Sequence, residues 1–365
     1  MPEPLFCAWL ALPEKTRKAL DAVLQEIFLL SCEKGFLAII DEAQWQIHNE
    51  PEKYVSFVNE MSALPDHYHR AMHTYLDYSE CWKGATRFYH ADTLSYWRKR
   101  KNLGHFPAAT DATNLTQLAD LIRDYFHHTE GRGKHCVVES FRRHDLDYFF
   151  AYPEDYSQHS VEWVDGEFGR RPHNPAFEIV YVYSRKEGSL DLNFRGANKA
   201  IEPLQDMFAT AILKLNELPP NPKDPRVYDL NLLRNRNFSF TFSLNSGIQA
   251  VVVKKLRLSS RSNKGDRITL ESDATKDPTA IYNQLERIAK SVPLHLYNVT
   301  QVELAASITV DINKPPKTVT IRLTYPNSCS LKYDEIGLKL RHMLELSGIE
   351  LKEPVEEEVI EAVEI

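Results

Sequence analysis

The chain reads as an α+β protein, a helical N-terminal region followed by two lobes of antiparallel β-hairpins covered by helices. Three observations carry that reading. Apolar residues as far as Thr129 recur with the 3.6-residue period of a helix, and from His135 the period drops to two. From Ala176 to Leu215 a strand, a tight turn, a second strand and a helix follow one another, and the same order returns between Val302 and Gly348. Residue identities do not match between the two stretches. The recurrence is therefore either an internal ββα duplication or two independent uses of a common unit.

In chain order, Pro13 opens a helix with the stripe Leu20, Val23, Leu24, Ile27 and Leu30, and Gly35 suits its exit. Pro51 to Ala63, Pro65 to Tyr78 and Thr93 to Leu103 read as shorter helices, the last entered through Asp92 and left at Gly104. Asp111 to Thr129 carries Leu115, Leu118, Ile122, Tyr125 and Phe126 on one side. The stretches HCVVESF, LDYFFAY and SVEWV then precede the Ala176 unit and predict a five-strand antiparallel meander with it. Within that unit Phe177, Ile179, Tyr181 and Tyr183 share a strand face. Gly188 supplies the turn, Leu190, Leu192 and Phe194 form the return strand, and Ile201, Leu204, Phe208, Ala211 and Ile212 form a helical stripe.

Asn216 to Pro225 holds four prolines in ten residues, which disfavours both helix and central strand, so the chain is divided there. Beyond it, Phe238, Phe240 and Phe242 alternate with polar residues, and Ile248 to Leu258 predicts a long strand pairing with Ile268 to Glu271. Asp277 and Pro278 open a helix with Ile281, Leu285, Ile288 and Val292 inward. A hairpin turning at Asn313 to Lys317 and a helix carrying Ile336, Leu340, Met343 and Leu344 follow. The division expected is residues 1–133, helical; 134–218, sheet plus helix; 226–349, a second α+β lobe with a basic patch; and 350–365, a flexible acidic tail.

At 365 residues, with 43% hydrophobic and 26% charged residues, the chain has the composition of a folded protein of more than one core. A formal charge of −7 argues against a polyanion binder that uses its whole surface. The longest apolar runs, such as Phe36 to Ile40, are far short of the ~20 residues a membrane helix needs, so no membrane partner is expected. The apolar Leu5 to Leu12 has no basic residue before it, which reads against a signal peptide. Five cysteines without a C-x-x-C pair read as cytoplasmic thiols rather than a disulfide framework or zinc ribbon.

Phosphate-loop, dinucleotide-binding, zincin and serine-hydrolase motifs are absent, so no catalytic residue is assigned and no organic cofactor is expected. The densest ligand-type cluster is on Asp66 to Asp77. His69, His73 and Asp77, each four apart, share a helix face and would supply metal ligands. Cys136 with His135, His144 and Glu139 has the residue types of a thiol nucleophile site, but strand alternation sends His135 and Cys136 to opposite faces. The strongest electrostatic feature lies between Arg226 and Arg267, where Arg234, Arg236, Lys254, Lys255, Arg257, Arg261, Lys264 and Arg267 are opposed locally by Asp229 and Asp266. Lys and Arg on a strand and a Ser-rich loop can position nucleic-acid phosphates, or guard a strand edge. A second basic stretch, Tyr96 to Lys101, falls at a predicted helix end.

The function expected is that of a cytoplasmic, non-catalytic binding or scaffold subunit of a multi-protein assembly, of the kind found in bacterial defence systems. It would have a protein partner and contact nucleic acid through the 226–267 patch. The alternative is a metal-assisted hydrolase or nuclease drawing on His69, His73 and Asp77, with a divalent metal as cofactor. Oligomeric state is not legible.

Overall fold

The computed structural model describes residues 3–164, 166–220, 224–263, 265–274, 276–310 and 315–351. The helical region comprises α1 (Glu3–Leu10), α2 (Glu14–Leu30), α3 (Glu33–Gln46), α4 (Pro51–Ala63), α5 (His67–Asp77) and α6 (Ser79–Ala91). Then come β1 (Trp97–Arg100), α7 (Ala112–Glu130), β2 (Cys136–Arg143), β3 (Leu146–Pro153), β4 (Gln158–Val164), β5 (Glu167–His173), β6 (Ile179–Ser184), β7 (Ser189–Phe194) and α8 (Ile201–Ala211). The remainder is β8 (Ile248–Ser260), β9 (Arg267–Glu271), α9 (Ala280–Ile288), β10 (Tyr297–Ile308), β11 (Lys317–Thr324), β12 (Ser328–Cys329) and α10 (Glu335–Leu346). The fold is α+β with a helical N-terminal region and antiparallel pairing throughout, and no helix among the described residues is long and apolar enough to cross a membrane.

Two compact units emerge, neither continuous in sequence: 1–94, 107–185 and 194–217 form the first, and 95–106, 186–193 and 218–365 the second. In the first unit α7 is capped by Asp111, which accepts from Asn114 N, and closed by Gly131 at φ 69°. Its Phe126 meets Phe177 and Phe194 edge-on or tilted, at 4.9 and 5.7 Å between centroids. On α8, Phe208 meets Phe149 of β3 and Tyr181 of β6, each at 5.1 Å, so the helix covers the strands β3 and β6 as the spacing of its apolar residues predicts. Strand order here is β2-β3-β6.

Three sequence expectations in this unit are corrected. Gly35 does not end a helix. It lies in the first turn of α3, where a Cβ would fall 2.1 Å from the Leu30 carbonyl oxygen, so the close approach of two helices is what requires glycine. Asp92 is not an N-cap: α6 ends there, and the Asp92 carboxylate accepts from Arg143 Nη1 at 2.9 Å, while Arg143 also pairs with Asp41 at 2.6 Å. The five-strand meander does not form, because β4 pairs only with β5, in a separate two-stranded sheet.

In the second unit the strand order is β7-β1-β12-β11-β10-β8-β9. Leu256, Leu258, Val302, Leu304, Ile321 and Leu323 from the strands close over Ile281 and Leu285 of α9 and Leu340, Met343 and Leu344 of α10. The run containing Phe238, Phe240 and Phe242 joins no strand; its rings are partly buried against that core. The hairpin turn expected at Asn313 falls partly outside the described residues, as does the acidic tail after Leu351.

The helix expected over Thr93 to Leu103 is β1, paired with β7 and β12. Tyr96 and Asn102, at φ 67° and 62°, break the helical path on either side. Trp97 is fully buried and meets Tyr333 edge-on at 5.0 Å. Lys99, buried too, explains why basic residues here mislead: its Nζ lies 2.8 Å from Glu350, 3.0 Å from Glu187 and 3.7 Å from Asp191. Lys101 reaches Glu350 at 3.3 Å, and Arg341 approaches Asp191 at 3.9 Å over the Tyr333 ring. Glu350 is thus not part of a solvated tail; it is 5% exposed and bridges Tyr228.

Burial alone would lower the Lys99 pKa, but Glu350 and Asp191 outweigh it and hold it well above the usual lysine value; burial would raise that of Glu350, and Lys99 and Lys101 outweigh it, leaving it lowered. Removing one partner strands a buried charge. Lys99→Ala is therefore expected to cost about 3–5 kcal/mol in urea unfolding, whereas Lys99→Met combined with Glu350→Leu should recover most of that loss.

Candidate binding surfaces

The basic patch is far less exposed as charge than the sequence implies. Arg234 donates from Nη1 to the carbonyls of Leu294 and Tyr297 at 2.8 and 3.0 Å, which makes it a structural clamp. Arg236 pairs with Glu286 at 2.7 Å, Lys255 with Glu271 at 2.9 Å across the β8–β9 register, and Lys254 lies 3.9 Å from Glu303. Arg257 approaches Thr300 Oγ1 at 3.4 Å. Glu271, Glu286 and Glu303 lie beyond the 226–267 stretch, so counting only the opposing charges within it overstated the field. Arg261 and Arg267 are exposed and have no ion-pair partner among the described residues; Lys264 lies outside them.

On α5, Asp66 caps the helix by accepting from His69 N at 3.0 Å and also meets His69 Nδ1 at 2.8 Å. His73 Nδ1 lies 2.7 Å from Asp77 and its Nε2 2.6 Å from Glu60. The structure joins His73 to Asp77 but leaves His69 with its cap residue, and both His73 nitrogens are spent on carboxylates. Among the described residues no group of three or more His, Cys, Asp or Glu is arranged to hold a metal ion. Burial pushes the Cys136 thiol up to about 12, far from the thiolate a nucleophile needs.

The sequence reading placed β4 in the main sheet and so missed what the β4–β5 hairpin presents. Val161, Trp163 and Phe168 are 58%, 66% and 64% exposed, and Trp163 and Phe168 are a register pair with centroids 5.3 Å apart. Arg170 stands opposite Val161 on the same face. Gly166, at φ 79°, was the available signal, since a positive-φ glycine between two short runs marks a tight hairpin.

A pocket of about 330 Å³ in the first unit is lined by Glu42, Trp45, Ser140, Arg142, Asp147 and Arg185, among others. Glu42 and Asp147 are 3% and 7% exposed. Glu42 Oε1 accepts from Gln46 at 2.7 Å, while Oε2 has no hydrogen-bond partner. Burial raises the Glu42 pKa to about 7, against the opposing pull of Gln46 and Arg143; burial likewise raises Asp147, against Arg142 and Arg185. Because the folded carboxyl holds its proton more tightly than the unfolded one, stability falls as pH rises from the unfolded value near 4.5 to about 7. Glu42→Gln should remove most of that loss, gaining about 3 kcal/mol relative to the parent at pH 8 and little at pH 4, as read by urea unfolding at the two pH values.

Comparison with known proteins finds no family model and no curated protein that matches this chain.

Proposed function

We propose that this chain is a cytoplasmic, non-catalytic binding subunit that docks a protein partner through the exposed face of the β4–β5 hairpin. The observation that carries the reading is the Trp163–Phe168 pair, continued by Val161, standing in solvent on a two-stranded sheet. A contiguous exposed group of large apolar side chains of this kind favours a docking role, and tryptophan is the residue type most enriched among interface hot spots. Arg170, on the same face as the rings, favours a partner whose apolar groove is rimmed by carboxylates. All five cysteines are free thiols, which supports the cytoplasmic part of the reading.

Trp163→Ser with Phe168→Ser should leave stability within about 0.5 kcal/mol of the parent, since the rings are exposed, yet lower retention of a stoichiometric partner by roughly thirtyfold or more. Tagged protein purified from its own cells, with and without the two substitutions, reads this directly. An equally retained partner, or none with either form, would sink the proposal.

A second reading, contact with nucleic acid, is favoured by Arg261 and Arg267 alone of the described patch, because the other cations already face carboxylates, carbonyls or a hydroxyl. Arg261→Glu with Arg267→Glu is expected to reduce the log–log salt slope of single- or double-stranded DNA binding by about 2. No binding at low salt, or an unchanged slope, would remove this reading.

A further inference from the structure

Helix α1 carries one charged residue, Glu3, and none of its described side chains is buried. Phe6 and Leu10, one turn apart on one side, are 42% and 47% exposed, although a helix this apolar is ordinarily found inside a protein. Its attachment keeps it outside. Phe6 stacks on Trp9 at 5.9 Å, Arg17 Cζ lies 5.5 Å from the Trp9 ring centroid, and Arg17 Nη1 reaches the Leu10 carbonyl at 3.5 Å. With Pro13 in the connection, these contacts pin the end of α1 beside the first turn of α2.

A second apolar surface runs along α2 and α5. On α5, Tyr68, Met72 and Leu76 are spaced four apart and share one side of the helix, and all three are exposed, Leu76 at 66%. On α2, Leu20 and Phe28 stand two turns apart on one side, both exposed, with the half-buried Leu24 between them. Phe28 meets Tyr68 edge-on at 5.9 Å, which joins the two stripes into one face. Tyr68 to Leu76 spans about 12 Å at the rise of an α-helix, and the eight residues of α1 span the same length.

We propose that two copies of this chain associate by exchanging α1, each α1 lying on the α2–α5 face of the other copy with Phe6 and Leu10 set against Met72, Leu76 and the Phe28–Tyr68 pair. A second copy matches in length and in polarity at once, because it brings both an uncovered apolar helix and an uncovered apolar face of the same span. Docking of an apolar helix side into such a face uses anchors one turn apart, the spacing of Phe6 and Leu10. The exchange is reciprocal about a twofold axis, so it closes at two copies and doubles the contact; one helix of this length falls short of the about 1,200–2,000 Å² that lasting interfaces bury. A lipid surface is disfavoured by the flanking charges. Lys15, Arg17 and Lys18 are offset by Glu3, Glu14 and Asp21, which leaves no net positive charge to draw α1 to anionic headgroups.

Sedimentation equilibrium of the full chain tests this. The expected result is a dimer at about 100 μM, weakened at least roughly thirtyfold by Phe6→Ser with Leu10→Ser and by Met72→Ser with Leu76→Ser, and unchanged by Trp163→Ser with Phe168→Ser. A mixture of the first two variants should associate more tightly than either alone, since the mixed pair keeps one intact contact between an α1 and a face. A parent that is monomeric at that concentration, a dimer indifferent to either pair of substitutions, or a mixture no tighter than its components would overturn the proposal, the last by assigning the contact to α1 against α1. So would a monomeric parent that floats with phosphatidylcholine vesicles and loses this with Phe6→Ser and Leu10→Ser, which would give the helix to a lipid surface. Should Met72→Ser with Leu76→Ser unfold the chain, Leu76→Lys alone replaces it, and undiminished association of that folded variant would overturn the proposal equally.

Discussion

The second unit is organised around a lysine that would be untenable alone. Lys99 sits under a core of apolar strands with Glu350 at 2.8 Å and Glu187 at 3.0 Å, and the charges around it balance, with Lys99, Lys101 and Arg341 facing Glu187, Asp191 and Glu350. A buried ion is tolerated only when paired, so each of these side chains constrains the others' positions. The pairing draws together β1, β7, the approach to α10 through Tyr333 and the end of the described chain. Even so, Asp191 Oδ1, Arg341 Nη1 and Tyr228 Oη lack hydrogen-bond partners, so the cluster fixes register at some cost in stability.

The same principle governs the surface. Cations close in sequence look like a patch, yet the fold supplies Glu271, Glu286 and Glu303 from elsewhere and turns most of that patch into pairs. Exposed pairs of this type add little stability, but they flatten the field a polyanion would meet. By contrast, the apolar hairpin face and the pocket with two buried carboxyls owe nothing to net charge. They arise where topology isolates a pair of strands, or where a helix and two strand edges leave a gap.

Legibility in the sequence followed the physics of each element. Helices α4, α5, α7 and α10 and strands β2, β3, β6 and β8 were readable because one apolar stripe and one set of end signals agree in each. Strand β1 was not, since three of its four residues, Arg98, Lys99 and Arg100, are basic, and only partners as distant as Glu350 make burying Lys99 tolerable. Helix α6 escaped notice because small residues stand among Trp82 and Phe88 on its buried side, one of them Gly84, where a Cβ would fall 2.2 Å from the Glu42 carboxyl carbon. The pocket was invisible because Glu42, Arg142 and Arg185 are unremarkable one at a time; their convergence is a property of the fold.

Lys99 and Glu350 are 251 residues apart, and that separation bears on how the protein is made. The first unit draws its last residue from position 217, whereas Lys99, though Glu187 and Asp191 are made earlier, does not gain its 2.8 Å partner Glu350 until position 350 has left the ribosome. At ordinary synthesis rates that is a wait of roughly tens of seconds. Through it, residues 95–106 and 186–193, which leave and rejoin the sequence of the first unit, already supply β1 and most of β7, the Trp97 strand lacking only what comes later. A nascent chain halted between those two points would hold all the residues of its first unit and both strands of the β1–β7 pair, but neither β12 on the other side of β1 nor the Glu350 carboxylate, and in that window a half-covered basic strand is what a chaperone or protease would meet.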